Sequence, residues 1–130
     1  MAGHVTGTLL DTSVLIANEL PLDDLPVSAA ISVVTLGELH AGVHLARTDE
    51  ARRRRQGRLD AIRRAFVPIP VDEPVAERYG AVLALARKEG RAAKATDVLI
   101  VATAASTSRS LATLDDAQAR LAQAVGVPLA

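Results

Sequence analysis

The apolar segments of this chain end in acids. Thr8-Leu9-Leu10 runs into Asp11, and Glu38 is set inside Val33-Val34-Thr35-Leu36-Gly37-Glu38-Leu39. Asp97 stands directly before Val98-Leu99-Ile100-Val101-Ala102, and Leu111-Ala112-Thr113-Leu114 runs into Asp115. Such segments have to be buried, and an unpaired carboxylate carried in with them is costly to desolvate. The successive spacings of 27, 59 and 18 residues are too long for a local loop motif, and the calcium-loop pattern is absent. The tertiary fold therefore has to bring the four acids together. Hard oxygen ligands of this kind suit a shared Mg²⁺ or Mn²⁺.

Short apolar runs alternate with helical patterns, which points to βα units and a parallel sheet. The first strand covers residues 8–10, and Thr12 or Ser13 caps a helix across 14–18. Residues 20–26, with two prolines and the pair Asp23-Asp24, read as a loop. A second strand covers 30–34, and Thr35 begins a helix whose apolar face is Leu36, Leu39, Val43 and Ala46. A charged helix follows over 49–65 with Leu59, Ile62 and Phe66 as its stripe. Residues 66–71 form a third strand that Pro68 and Pro70 confine to an irregular or edge role. Pro74 suits the first turn of a helix over 73–89, and Gly90 its C-terminal end. That helix buries Val75, Tyr79, Val82, Leu83, Leu85 and Ala86. Thr96 caps a helix over 98–105, and a fourth strand (110–114), a helix (116–124) and a fifth strand (125–129) complete the chain. The expectation is one domain spanning residues 1–130, a three-layer α/β/α unit around a parallel sheet of about five strands.

In open sheets of this type ligands gather beyond the carboxyl ends of the strands, near the switch in strand order. Asp11 and Asp115 fall there. Glu38 lies one turn into the helix after the second strand, and Asp97 heads the helix that leads to the fourth.

Composition removes several alternatives. No cysteine is present, which excludes disulfides, Cys-ligated zinc and iron–sulfur clusters. Phe66 and Tyr79 are the only aromatic residues, too few for a base-stacking platform. No apolar stretch reaches the roughly 18 residues of a membrane span. The first seven residues carry no Lys or Arg and no long apolar run follows, so a secretory signal is not expected. A cytoplasmic protein without membrane contact is the resulting expectation.

The net charge of zero hides an uneven distribution. Residues 1–46 hold five acids and no Lys or Arg, whereas residues 47–64 hold eight arginines against Asp49, Glu50 and Asp60. The arginine strip, represented by Arg53 and Arg54, has three readings: a solvated helix face, contacts with RNA phosphates, or a dock for an acidic partner segment. Lys94, with Arg91, stands just before Asp97 and is a separate candidate for steering phosphate. His40 and His44 have the spacing of a helical zinc pair. Glu38, however, lies about 200° around the helix from His40, and no third ligand is evident.

Four blocks of this chain resemble those of the PIN-domain ribonucleases: Leu9-Leu10-Asp11-Thr12-Ser13-Val14-Leu15, Thr35-Leu36-Gly37-Glu38-Leu39, Thr96-Asp97-Val98-Leu99-Ile100-Val101-Ala102 and Ala112-Thr113-Leu114-Asp115-Asp116. Within that superfamily the length and wording resemble the VapC-type toxins of bacterial toxin–antitoxin pairs, over residues 8 to about 128. The resemblance implies a metal-dependent endoribonuclease in which Asp11, Glu38, Asp97 and Asp115 hold Mg²⁺ or Mn²⁺. Thr12 and Ser13 match the polar pair after the first acid, and Thr113 the small hydroxyl residue that supports the last. Where relatives often place further polar residues and then an Asp-Phe pair, Asp116-Ala117 follows at once. Asp115 and Asp116 thus both remain candidates for the fourth acid, with Asp115 favoured by its position relative to Thr113. The resemblance also implies an RNA substrate, a VapB-type antitoxin partner and a homodimer.

Two other classes use an acid at a strand end. A haloacid-dehalogenase-like phosphatase with Asp11 as nucleophile generally wants a second Asp two residues on, and position 13 is Ser. A receiver-like signalling module wants an acidic pair after the first strand and a Lys after a late one, and neither is present. A Gly-rich phosphate loop and a Ser/His/Asp hydrolase order are also missing.

Overall fold

A computed structural model describes residues 5–17, 21–25 and 27–130. Its elements are β1 (Thr8–Leu10), α1 (Thr12–Ala17), a short 3₁₀ turn (Leu22–Asp24), β2 (Ala29–Ala30), α2 (Val33–His44), α3 (Asp49–Ala65), α4 (Glu73–Lys88), α5 (Ala95–Ser106), β3 (Ser110–Ala112) and α6 (Asp116–Ala124). The strands are parallel in the order β2-β1-β3, with Leu9 opposite Ala30 on one side and Leu111 on the other.

Side chains alternate across this short sheet and create two cores. Leu9 and Leu111 point to one face, where Val82 and Ala86 of α4, Val98, Val101 and Ala104 of α5, and Leu121 and Ala122 of α6 cover them. Leu10, Ile31 and Ala112 belong to the other face, with Leu15 of α1, Leu39 of α2 and Ile62 of α3. Helices on both faces make the three layers. Helix α5 is buried at Val98 and at five consecutive residues, Ile100 to Ala104, as expected of a helix apolar nearly all round.

The expected sheet of five strands is corrected to three among the described residues. Two of the anticipated outer strands survive as single parallel bridges, Ser32 with Ile69 and Leu111 with Leu129. The reason lies in the prolines. Pro68 and Pro70 flank Ile69 and Pro128 precedes Leu129, and a residue without N–H cannot extend a ladder. The two bridges still occupy the flanks of the sheet, one beside β2 and one beside β3, so the strand order reverses between β1 and β3.

Local chemistry also moves several boundaries. Residues 33 and 34 belong to α2 rather than to a strand, because the Ser32 hydroxyl accepts the Val34 N–H at 3.0 Å and caps the helix early. Helix α5 begins at Ala95 after Lys94, and Thr96 lies inside it rather than capping it. Strand β3 ends at Ala112, two residues sooner than expected, as Thr113 and Leu114 turn toward the cap of α6. The expected helix 14–18 begins earlier, at Thr12. Its end at Asn18, like Leu20 and Pro26 of the expected loop, lies outside the described residues. The charged helix agrees with expectation, with the Thr48 hydroxyl capping α3. So does α4, with Asp72 at its cap and Gly90 at φ +66° after its end.

Candidate active site

Asp11 leaves β1 at its carboxyl end and is 5% exposed. Two hydroxyls from separate segments converge on the same oxygen: Ser13 Oγ donates to Asp11 Oδ2 at 2.8 Å and Thr113 Oγ1 at 2.7 Å. Those hydroxyls are themselves aimed by backbone N–H groups, since Ser13 Oγ accepts from Leu114 N at 3.0 Å and Thr113 Oγ1 from Asp115 N at 3.1 Å. Among the described residues no hydrogen bond reaches Asp11 Oδ1. A nearly buried carboxylate therefore has one oxygen fixed and the other free for a ligand.

Glu38 is positioned from α1. Thr12 Oγ1 donates to Glu38 Oε1 at 2.6 Å and also lies 3.1 Å from the hydroxyl of Thr35, which is fully buried one turn before Glu38. Asp97 occupies the first turn of α5, and its carboxyl is raised above its ordinary value of 3.8. Burial is the main cause, followed by the charges of Asp11, Asp115 and Glu38, with Lys94 acting in the opposite sense. All four acids thus act within one electrostatic neighbourhood.

Asp115 caps α6, accepting Gln118 N–H at Oδ1 over 3.1 Å. Asp116 is an exposed residue in the first turn of the same helix. Of the two candidates for the fourth acid, Asp115 is the one whose charge acts on Asp97.

Among the described residues no three acids or histidines are arranged to grip a metal ion directly. The four carboxylates are near enough to repel one another without forming a closed ligand cage. His40 and His44 are exposed on α2 and gather no third ligand among the described residues.

The arginine strip divides in the structure. Arg52 pairs with Asp49 at 2.9 Å and donates to the Ala46 carbonyl, while Arg55 donates to Gly42 O at 2.7 Å. Arg58 donates to Leu15 O at 3.5 Å. These contacts tie α3 to α2 and α1. Arg54, Arg55 and Arg58 also line a groove of about 360 Å³ with Leu15, Ile16, Leu39, Gly42 and Glu38. Arg53 is exposed and outside that lining. On the opposite flank, Arg91 and Arg120 line a cleft of about 180 Å³ with Asp97 and Gln118.

Sequence reasoning passed over Thr35 and Gln118 as site residues. The pattern Thr35-x-x-Glu38 places the two on neighbouring positions of one helix face. Asp115-x-x-Gln118 has the form of a helix-capping box, a pattern that does not signal a glutamine buried against another helix.

Comparison with known proteins identifies the family. The model of the PIN domain matches residues 8–124. Ribonuclease VapC8 from Mycobacterium tuberculosis is 43% identical over 106 residues, covering 78% of this chain and 94% of that protein. Ribonuclease VapC5 from the same organism is 35% identical over 125 residues, covering 93% and 92%. The crystal structure of VapBC-5 from M. tuberculosis, a member of the VapBC family of toxin–antitoxin systems, superimposes with a TM-score of 0.78 at 34% identity. It covers 89% of this chain and 90% of that one. The phosphatase-like and receiver-like alternatives fall away, and the chain belongs to the PIN-domain family.

Proposed function

We propose that the protein is a metal-dependent endoribonuclease and the toxin of a toxin–antitoxin pair, with a VapB-type antitoxin as its partner. Its relatives are ribonucleases, and the related crystal structure belongs to a toxin–antitoxin system. The observation that carries the reading is Asp11, nearly buried at the sheet's switch point and held by two hydroxyls, in the electrostatic company of three further acids.

Carboxylates alone repel a polyanion, so the site needs a cation before it can receive RNA. PIN-domain ribonucleases depend on divalent metal, and the donor set of this site, hard oxygens carrying excess negative charge, fits Mg²⁺ or Mn²⁺. Asp11, Glu38, Asp97 and Asp115 hold the ion, partly through water, with Asp116 outside the set. When bound, the ion lowers the pKa of coordinated water and offsets charge developing on the phosphoryl oxygens.

The chain's own residues supply positioning. Ser13 and Thr113 fix Asp11 through Oδ2, and Thr12 orients Glu38. Lys94 tempers the repulsion at Asp97 and, together with Arg54 in the groove beside Glu38, attracts phosphate. The protein acts in the cytoplasm as a single PIN unit that pairs into a homodimer. No helix among the described residues is long and apolar enough to cross a membrane.

Incubation with labelled RNA tests the reading. Cleavage is expected with Mg²⁺ or Mn²⁺, and it should disappear with chelator and in Asp11→Asn. Full cleavage by metal-free protein would refute it.

A further inference from the structure

Gln118 is 2% exposed, an unusual place for an amide. Its backbone N–H is taken by Asp115 Oδ1 at 3.1 Å, as in an ordinary helix cap. A capping-box glutamine would turn its side chain back to the cap residue. This one reaches across to another helix, where Nε2 donates to the backbone carbonyl of Asp97 at 3.1 Å. The other end of the amide, Oε1, is buried with no hydrogen-bond partner among the described residues.

An orphaned buried acceptor is costly, because no hydrogen bond offsets its desolvation. The neighbours Leu121 and Ala122 of α6 pack in the same cluster as Val98 and Val101 of α5, while Gln118 also borders the cleft lined by Arg91, Asp97 and Arg120. A leucine or methionine at this position would satisfy that core without the orphan. What an apolar side chain cannot do is join the first turn of α6 to the first turn of α5. Asp115 caps the one and Asp97 lies within the other.

We infer that Gln118 is a positioning residue that fixes the separation of Asp97 and Asp115, so that both face the divalent ion at one spacing. The inference rests on the reading of these acids as an ion site, and it makes Gln118 a support for that site although it is not itself a ligand. Loss of such supporting contacts weakens metal binding roughly 10- to 100-fold.

Mn²⁺ binding to the full chain, followed by the electron paramagnetic resonance signal of the free ion, provides the test alongside melting in chelator. Gln118→Met should melt within about 2 °C of wild type, or above it, yet bind Mn²⁺ about tenfold more weakly. Unchanged Mn²⁺ affinity in Gln118→Met, while Asp97→Asn loses binding, overturns the proposal. If wild type itself binds no Mn²⁺, the ion-site reading fails and this inference falls with it. Should Gln118→Met fail to fold, wild type still decides the matter by nuclear magnetic resonance. Mg²⁺ should shift the Gln118 side-chain amide together with the backbone amides of Asp97 and Asp115. A stationary Gln118 amide beside shifted acids refutes the link.

Discussion

Replacing Thr113 by valine keeps the side chain's shape and removes its hydroxyl. The wild-type hydroxyl donates to Asp11 Oδ2 at 2.7 Å, a short charge-assisted bond to a carboxylate that is 5% exposed. Hydrogen bonds to charged groups contribute about 1.5–3 kcal/mol. Ser13 Oγ remains at 2.8 Å from the same oxygen and limits the damage. The Asp115 N–H also loses an acceptor, but its environment is exposed and water replaces it at little cost. A net loss of about 2 kcal/mol follows, which lowers the melting temperature of a domain this size by roughly 8 °C. Activity should suffer more than stability, because a displacement of about 1 Å at a reacting centre can cost on the order of a hundredfold in rate. Differential scanning fluorimetry in chelator and single-turnover RNA cleavage in Mg²⁺ measure the two effects. Thr113→Ser, which keeps the donor, should recover both. A Thr113→Val protein that melts and cleaves like wild type would show that Asp11 does not depend on this hydroxyl.

Two further outcomes follow from the same structure. Burial and then the charges of Asp11, Asp115 and Glu38 raise the Asp97 carboxyl. The folded chain therefore keeps this proton to higher pH than the unfolded chain, and stability falls as pH climbs from about 3.8 through the raised value. Asp97→Asn should consequently melt higher than wild type at pH 7 in chelator, with the gap closing below that window and on adding Mg²⁺. A lower melting temperature for the variant at pH 7 contradicts the electrostatic account. In the core, Ile62 on α3 is fully buried against the Leu10–Leu15–Ile31 face, and Ile62→Ala should cost roughly 2–5 kcal/mol by denaturant titration. A cost under about 1 kcal/mol would mean that this layer is not packed as described.

The α/β/α layering was legible because its signals are local. Pro74 marks the start of α4, Gly90 its end, and the apolar stripe of α3 repeats at helical spacing. The outer strands were over-read for the opposite reason. Residues 66–71 and 125–129 are apolar enough for strands, but pairing there depends on N–H groups that Pro68, Pro70 and Pro128 lack, so one bridge forms on each flank. Ser32 likewise reads as a strand residue until its hydroxyl is seen capping α2.

The site shows the same division. The sequence singled out Asp11, Glu38, Asp97 and Asp115 as candidates, because each stands in or beside an apolar segment. It also determined that Thr12, Ser13 and Thr113 stand beside those acids. Only the tertiary structure decided that Ser13 and Thr113, a hundred residues apart, share one oxygen of Asp11. It drew Arg54 and Arg58 into the groove while leaving Arg53 outside, turned Gln118 toward Asp97, and added to the sequence's preference for Asp115 the action of that charge on Asp97. Residue type and spacing limit what a side chain is able to bond, but the partner it meets depends on which helices pack together, and that packing is settled by the whole core at once.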